Sequence, residues 1–394
     1  MRRYLLVSVL LCFTALPGLA QTADSHPARA RDLGVPFDGA PGPQNAITDV
    51  AGVEVGSTTL IHGEGTLKVG EGPVRTGVTV ILPRGAKNSD PVYAGWFSLN
   101  GNGEMTGTTW VEESGFLEGP VALTNTHSVG TVRDSVIAWG VKHGALHQDW
   151  SLPVVAETWD GWLNDINGFH VKQDDVFSAL DSAKGGAVPE GNSGGGTGMV
   201  CYGFKGGTGT ASRVLTKDED GYTVGVLVQC NCGRRPQLTI AGVPVGKEIP
   251  QDVPYAGLSP QAAPPGSEMR GDVGSIIIVI ATDAPLLPHQ LKRLARRAAL
   301  GLARTGSISG NGSGDIFIAF STANPHADAE PGPNTVETVS NARISPLFAA
   351  TVEATEEAIV NAMVGAKTMT GIDGHTVIAL PHEQLRQVLK KYNR

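Results

Sequence analysis

Short β-branched runs alternate along the chain with segments whose apolar residues recur at helical spacing. Val78 to Leu82, Val121 to Thr124, Pro153 to Ala156 and Val224 to Val228 predict strands, bounded by Gly, Asn and Pro. Ser128 to His143 and Asp174 to Lys184 predict helices. Ser275-Ile-Ile-Ile-Val-Ile-Ala-Thr282 holds five consecutive β-branched residues without polar alternation, the pattern of a strand buried on both faces. Asp283 and Pro285 then open a helix carried by Leu287, Leu291, Leu294, Ala298 and Leu302. A strand from Asp315 to Thr322 follows, then a helix from Pro346 to about Ala366 striped by Leu347, Val352, Ile359 and Met363. A strand at Thr376 to Leu380 and a helix at His382 to Tyr392 end the chain. One segment interrupts this order: Pro250 to Gly274 is rich in Pro, Gly, Ser and acidic residues, and so long a structureless stretch is usually functional or open to proteolysis. Because strands and helices alternate on both sides of it, the pattern predicts a layered α and β fold with helices covering a sheet core.

Composition narrows the class. The chain has 394 residues, 41% apolar and 17% charged, with a mean hydropathy of -0.03; this excludes an integral membrane protein and a charge-driven disordered chain. Glycine is the outlier, 52 residues or about 13% against a usual value of about 7%. With no collagen period or longer repeat, tight turns and close backbone contacts must account for it. Arg2-Arg3, the apolar run Tyr4 to Leu16 and the small residues Gly18-Leu19-Ala20 predict a secretory leader cut after Ala20, hence a periplasmic or secreted protein. The net charge of -8 becomes -10 without Arg2 and Arg3, which argues against a nucleic-acid partner. Cys12 leaves with the leader. The remaining Cys201, Cys230 and Cys232 are too few and odd in number for a disulfide framework. Cys230 and Cys232 share one face of a predicted strand; a metal site there needs further ligands that nothing nearby in sequence supplies, so buried thiols are expected.

Several constellations could carry chemistry. Ser275 begins the buried strand behind Gly274 and the long interruption. A cut between Gly274 and Ser275 would place a hydroxyl beside a free α-amine of ordinary pKa about 8, joining nucleophile and general base in one residue. Glycine before it permits the strained backbone that brings the hydroxyl onto the preceding carbonyl; the same pair also reads as a plain loop end. Ser313 and Asp315, in Gly312-Ser-Gly-Asp315, lie at i and i+2 and in extended backbone would share a face, although glycine-rich turns of this kind are common. Polar clusters at predicted strand ends include Asn100-Gly-Asn-Gly-Glu104, Thr124-Asn-Thr-His-Ser128, Glu157-Thr-Trp-Asp160 with Asn164-Asp165, and Asn231. Gly191-Asn-Ser193-Gly-Gly195 matches the nucleophile-elbow pattern, but a loop-like segment precedes it where that motif needs a strand. Gly203-Phe-Lys-Gly-Gly-Thr-Gly209 lacks the order of a phosphate loop.

As a set, these residues resemble the self-processing aminopeptidases that include the L-aminopeptidase/D-Ala-esterase/amidase and the bacterial β-aminopeptidases. The resemblance rests on Leu99 to Gly107, Leu123 to Gly130, Glu157 to Asp165, Gly194 to Met199, Phe204 to Gly207, Gly242 to Gly246, Gly274-Ser275 with Ala281 to Pro285, and Gly312 to Asp315 with Ala319 to Ala323. It implies an α+β fold, a four-layer αββα sandwich like that of N-terminal-nucleophile hydrolases but differently connected. It implies self-cleavage between Gly274 and Ser275 into an α chain (21–274) and a β chain (275–394) that form one domain, usually assembled as a homotetramer. Ser275 would be the nucleophile, Ser313 and Asp315 its partners, Asn231 the oxyanion donor, and Glu157 the carboxylate holding the substrate's amino group. Trp159 stands where the family is expected to carry a tyrosine beside the substrate. No metal or organic cofactor is implied. The substrates expected are small peptides, amides or esters, including β- or D-aminoacyl ones. The rival expectations are a single-chain serine hydrolase using Ser193 and a non-catalytic exported binding protein.

Overall fold

A computed structural model describes residues 28–254, 274–329 and 332–394. The expected leader and residues 255–273 of the interruption lie outside these. In chain order the strands are β1 (Glu54–His62), β2 (Val74–Leu82), β3 (Val92–Ser98), β4 (Phe116–Leu117), β5 (Val121–Asn125), β6 (Val154–Thr158), β7 (Val200–Cys201), β8 (Phe204–Lys205), β9 (Gly207–Val214), β10 (Thr223–Asn231), β11 (Ser275–Thr282), β12 (Asp315–Ser321), β13 (Met369–Thr370) and β14 (Thr376–Val377). The helices are α1 (Thr108–Ser114), α2 (Val129–His143), α3 (Gln173–Asp181), α4 (Val245–Glu248), α5 (Pro288–Arg304), α6 (Ser345–Val364) and α7 (His382–Lys391).

Two main sheets carry the fold, one ordered β1-β2-β5-β6 and the other β4-β3-β12-β11-β10-β9. Strand alternation explains how they stack. Ile277, Val279 and Ala281 of β11 pack with Ile81, Val121, Leu123 and Ala156 in the core between the sheets. Ile276, Ile278 and Ile280 point the other way, onto Leu291, Leu294 and Ala298 of α5 and Ile359 and Met363 of α6. On the far side, Val78, Val80 and Val155 meet Val132, Val136 and Trp139 of α2 and Val176 and Leu180 of α3. The run 276–280 is apolar at every position because both of its faces are core. The layers are therefore α, β, β, α, and the expected four-layer α+β sandwich is what the chain forms.

The strongly apolar elements fall where their pattern predicts, and β11 spans the expected Ser275 to Thr282. Two segments differ. The strand expected over Thr376 to Leu380 shrinks to β14, paired only with β13, because the Ile378 carbonyl instead accepts the Lys205 N–H at 2.7 Å and ties this segment to β8. The glycine run ending at Gly209 is no ligand loop: Gly207–Val214 is an edge strand beside β10. Gly209 lets α6 lie directly on it, since a Cβ there would sit 2.1 Å from the Ala358 carbonyl oxygen. Among the described residues no helix is long and apolar enough to cross a membrane.

Candidate active site

Three neighbouring strands bring the predicted residues together at one end of the six-stranded sheet. β10 ends at Asn231, which pairs directly with Ser275 at the head of antiparallel β11. β12 runs parallel to β11 and begins at Asp315, opposite Ile276. Ser275, Ser313, Asp315 and Asn231 are all buried. The Ser275 hydroxyl oxygen accepts the Gly314 N–H at 3.0 Å. Ser313 Oγ reaches both the Gly274 carbonyl oxygen and Asp315 Oδ1, the latter at 2.8 Å. A hydroxyl has one hydrogen, so Ser313 can polarise the carbonyl or donate to the carboxylate but not both at once. Asp315 Oδ1 also accepts the Ile276 N–H at 3.2 Å.

Glycines make this convergence possible. A Cβ on Gly274 would lie 2.3 Å from the Asn231 carbonyl oxygen, and one on Gly314 2.4 Å from that of Asn102. The Asn100–Glu104 turn is thereby pressed onto the Gly312–Asp315 turn, and Asn100 Oδ1 accepts the Asp315 N–H at 2.6 Å. Gly103 sits between the two acidic parts of the site: a Cβ there would lie 3.1 Å from Gly314 Cα and 3.3 Å from Glu157 Oε1.

Glu157 is buried at the end of β6. Its Oε1 accepts the Glu104 N–H at 3.0 Å, and its Oε2 accepts the Thr126 hydroxyl. Burial pushes its pKa up despite these bonds. His127 does not join this carboxylate by a hydrogen bond of its own; its ring stacks on Phe169, centroids 6.0 Å apart. The Asn231 amide is oriented from both ends: Oδ1 accepts the Val200 N–H at 2.7 Å, and Nδ2 donates to the Trp159 carbonyl at 3.1 Å. Nδ2 carries a second hydrogen that can meet a developing oxyanion. Because the contact from position 159 to Asn231 is made by backbone, it survives the exchange of tyrosine for Trp159. The Trp159 indole, 39% exposed, lies over Gly161, where a Cβ would approach it to 2.7 Å.

Ser193 is placed differently. Its φ of -125° and ψ of 141° are ordinary extended backbone rather than a strained elbow, and its hydroxyl lies 3.4 Å from that of Ser57. The glycines after it serve packing: a Cβ on Gly195 would sit 2.0 Å from Gln229 Oε1 and one on Gly196 2.2 Å from the Thr208 nitrogen.

For three features the sequence names the residues but not their tertiary surroundings. Asp160 is wholly buried, accepts from Asn164 Nδ2 at 3.0 Å, and burial pushes its carboxyl up to about 7. Lys205, equally buried, is brought down to about 7 by desolvation, and its ammonium donates to the Gly206 carbonyl at 2.9 Å. Cys201, Cys230 and Cys232 are buried thiols, as expected, but the expectation that nothing nearby adds a ligand is corrected: Cys201 Sγ lies 3.7 Å from Cys232 Sγ, and Cys230 Sγ 3.8 Å from the same atom. Cys201 arrives from the β7–β8 hairpin, and no spacing in the sequence signals that approach.

The four-layer sandwich, taken with the relationships that follow, marks a serine-type aminopeptidase of the N-terminal-nucleophile hydrolase kind. Residues 45–377 match peptidase family S58, and the chain belongs to that family. It is 57% identical over 380 residues to the beta-peptidyl aminopeptidase BapA of Sphingosinicella microcystinivorans, covering 95% of each chain. The solved structure of the L-aminopeptidase D-Ala-esterase/amidase of Ochrobactrum anthropi superposes with a TM-score of 0.85 at 50% identity, over 94% of this chain and 99% of that one. The Burkholderia sp. beta-aminopeptidase gives 0.81 at 47% identity, over 92% and 99%. An enzyme with aminopeptidase activity follows from these relationships, and the expectation of a non-catalytic binding protein falls.

Proposed function

We propose that this aminopeptidase is exported, cuts itself between Gly274 and Ser275, and then uses Ser275 to remove N-terminal residues from small peptides, amides or esters. The observation that supports this reading is that Ser313, paired with Asp315, reaches the Gly274 carbonyl while the neighbouring Gly314 N–H donates to the Ser275 hydroxyl. In self-cleavage the Ser275 oxygen attacks the Gly274 carbonyl carbon while Ser313 polarises its oxygen. The hydroxyl proton passes to the Ser275 nitrogen as the C–N bond breaks and an ester forms, and water hydrolyses that ester to leave a Gly274 carboxylate, a free Ser275 amine and the restored hydroxyl. That amine then takes the hydroxyl proton as Ser275 attacks a substrate carbonyl. Ser313 and Asp315 hold the proton relay, Asn231 Nδ2 meets the oxyanion, and the acyl-enzyme is released by water.

Glu157 suits a substrate bearing a cationic amino terminus, with Trp159 beside it. Relatives named for β-peptidyl substrates favour β-aminoacyl chains, with D- and L-α-aminoacyl amides as the comparison set. The working unit in this reading is a periplasmic or secreted homotetramer of α (21–274) and β (275–394) chains.

Intact-mass measurement tests the reading. Wild type is expected as two chains whose masses sum to the mature protein plus one water, and Ser275→Ala as one uncut chain without activity on aminoacyl p-nitroanilides. A single wild-type chain, or loss of turnover in Ser193→Ala with Ser275→Ala fully active, would overturn it.

A further inference from the structure

Among the described residues one group of metal-ligating side chains converges. The sulfurs of Cys201, Cys230 and Cys232 all lie within 4.8 Å of one another and are buried. We propose that these three thiols form a binding site for a soft divalent d10 cation of the zinc and cadmium kind.

Spacing supports this first. Thiolates bound at about 2.3 Å around one such ion stand about 3.8 to 4.0 Å apart; Cys232 Sγ lies 3.7 Å from Cys201 Sγ and 3.8 Å from Cys230 Sγ, and all three sulfurs fall within 4.8 Å of one another. Two of the three separations thus already match those of thiolates sharing one ion. Soft sulfur donors select soft or borderline d10 ions over calcium or magnesium. Charge then selects divalent over monovalent. Three thiolates with a divalent ion carry one net negative charge, and the buried Lys205 ammonium, whose charge is coupled to Cys201 and Cys230, offsets it. A monovalent ion would leave one buried negative charge uncompensated.

The balance of the step is simple. Three metal–sulfur bonds form and three S–H protons are lost, one of them to Lys205 wherever that amine starts neutral and the rest to solvent; no electron is transferred. The ion would clamp the end of β10 to β7, the two segments that orient Asn231 through its flanking cysteines and the Val200 N–H. That consequence for catalysis rests on the function proposed above, whereas ion binding does not.

The test uses the reduced, chelator-stripped mature enzyme titrated with Cd(II). Wild type is expected to give an ultraviolet thiolate-to-cadmium charge-transfer band saturating at one equivalent, a matching adduct in native mass spectrometry, and release of two to three protons in weak buffer. Cys201→Ser and Cys230→Ala are each expected to lose the band. If neither variant folds, wild type alone decides, because the absence of a stoichiometric band there overturns the proposal. So does undiminished binding in a folded variant. Freshly isolated enzyme found with a Cys201–Cys232 disulfide, with a mass lower by two hydrogens and no cadmium uptake after reduction, overturns it as well. Aminopeptidase activity is followed separately, so failure of ion binding leaves the Ser275 reading untouched.

Discussion

Two carboxyls in one block, Glu157 and Asp160, are pushed the same way by burial. Glu157 accepts from Glu104 and Thr126, bonds that favour its anionic form, and in the proposed function that form meets the substrate's amino group. Glu157→Gln keeps the shape and removes the charge; losing one charge-assisted contact of about 1.5 to 3 kcal/mol should raise KM for free-amine substrates about 10- to 100-fold. Unchanged KM would remove Glu157 from substrate binding. Asp160 has no such task. Its carboxyl titrates at about 7 in the folded chain and at about 3.9 when unfolded, so the folded state binds more protons across that interval. The stability it contributes is fully present below the unfolded value and is lost as pH rises through the folded one. In Asp160→Asn that loss should vanish. The variant should gain on wild type between about pH 4 and pH 7, measured as urea midpoints; parallel pH curves would contradict the assignment.

At the scale of elements, legibility follows burial pattern. β11 could be read to the residue because both of its faces are core and no polar position interrupts them. Helices α5 and α6 were legible from their apolar stripes. β9 could not be read, since Gly-Thr-Gly-Thr-Ala-Ser-Arg-Val has no apolar alternation; what makes it a strand is the contact with β10 and the helix lying on its glycines. Gly209→Ala tests that explanation. Its Cβ would meet backbone of α6, at the Ala358 oxygen and 2.6 Å from the Ala362 nitrogen, so helix or strand must shift, at a cost of about 1 to 3 kcal/mol. Chemical denaturation with an unchanged slope and a lowered midpoint is the expected result. The same rule explains the high glycine content: Gly274, Gly314 and Gly103 are close-approach positions that assemble the site, and none is distinguishable in sequence from a loop glycine.

At the scale of the molecule, the six-stranded sheet is woven from both sides of the proposed cut. β11 lies between β10, which precedes residue 274, and β12, which follows it, while β3 from the early chain pairs with β12. Cutting the Gly274–Ser275 bond would leave the two chains sharing one sheet and one core. They should co-elute as a single species in size-exclusion chromatography and separate only in denaturant; separation in native buffer would contradict this topology. Multi-angle light scattering on the same sample reads the oligomeric state. The sequence by itself determined the layered class and the buried strand headed by Ser275, and it named the candidate reactive groups, because apolar periodicity and functional-group chemistry are local properties. Only tertiary structure decided that Asn231, Ser313 and Asp315 surround that serine, that Ser193 lies on ordinary backbone, and that Cys201 joins Cys230 and Cys232. Those outcomes depend on strand pairing and on how closely two backbones approach, and both are set by contacts between segments far apart in the chain.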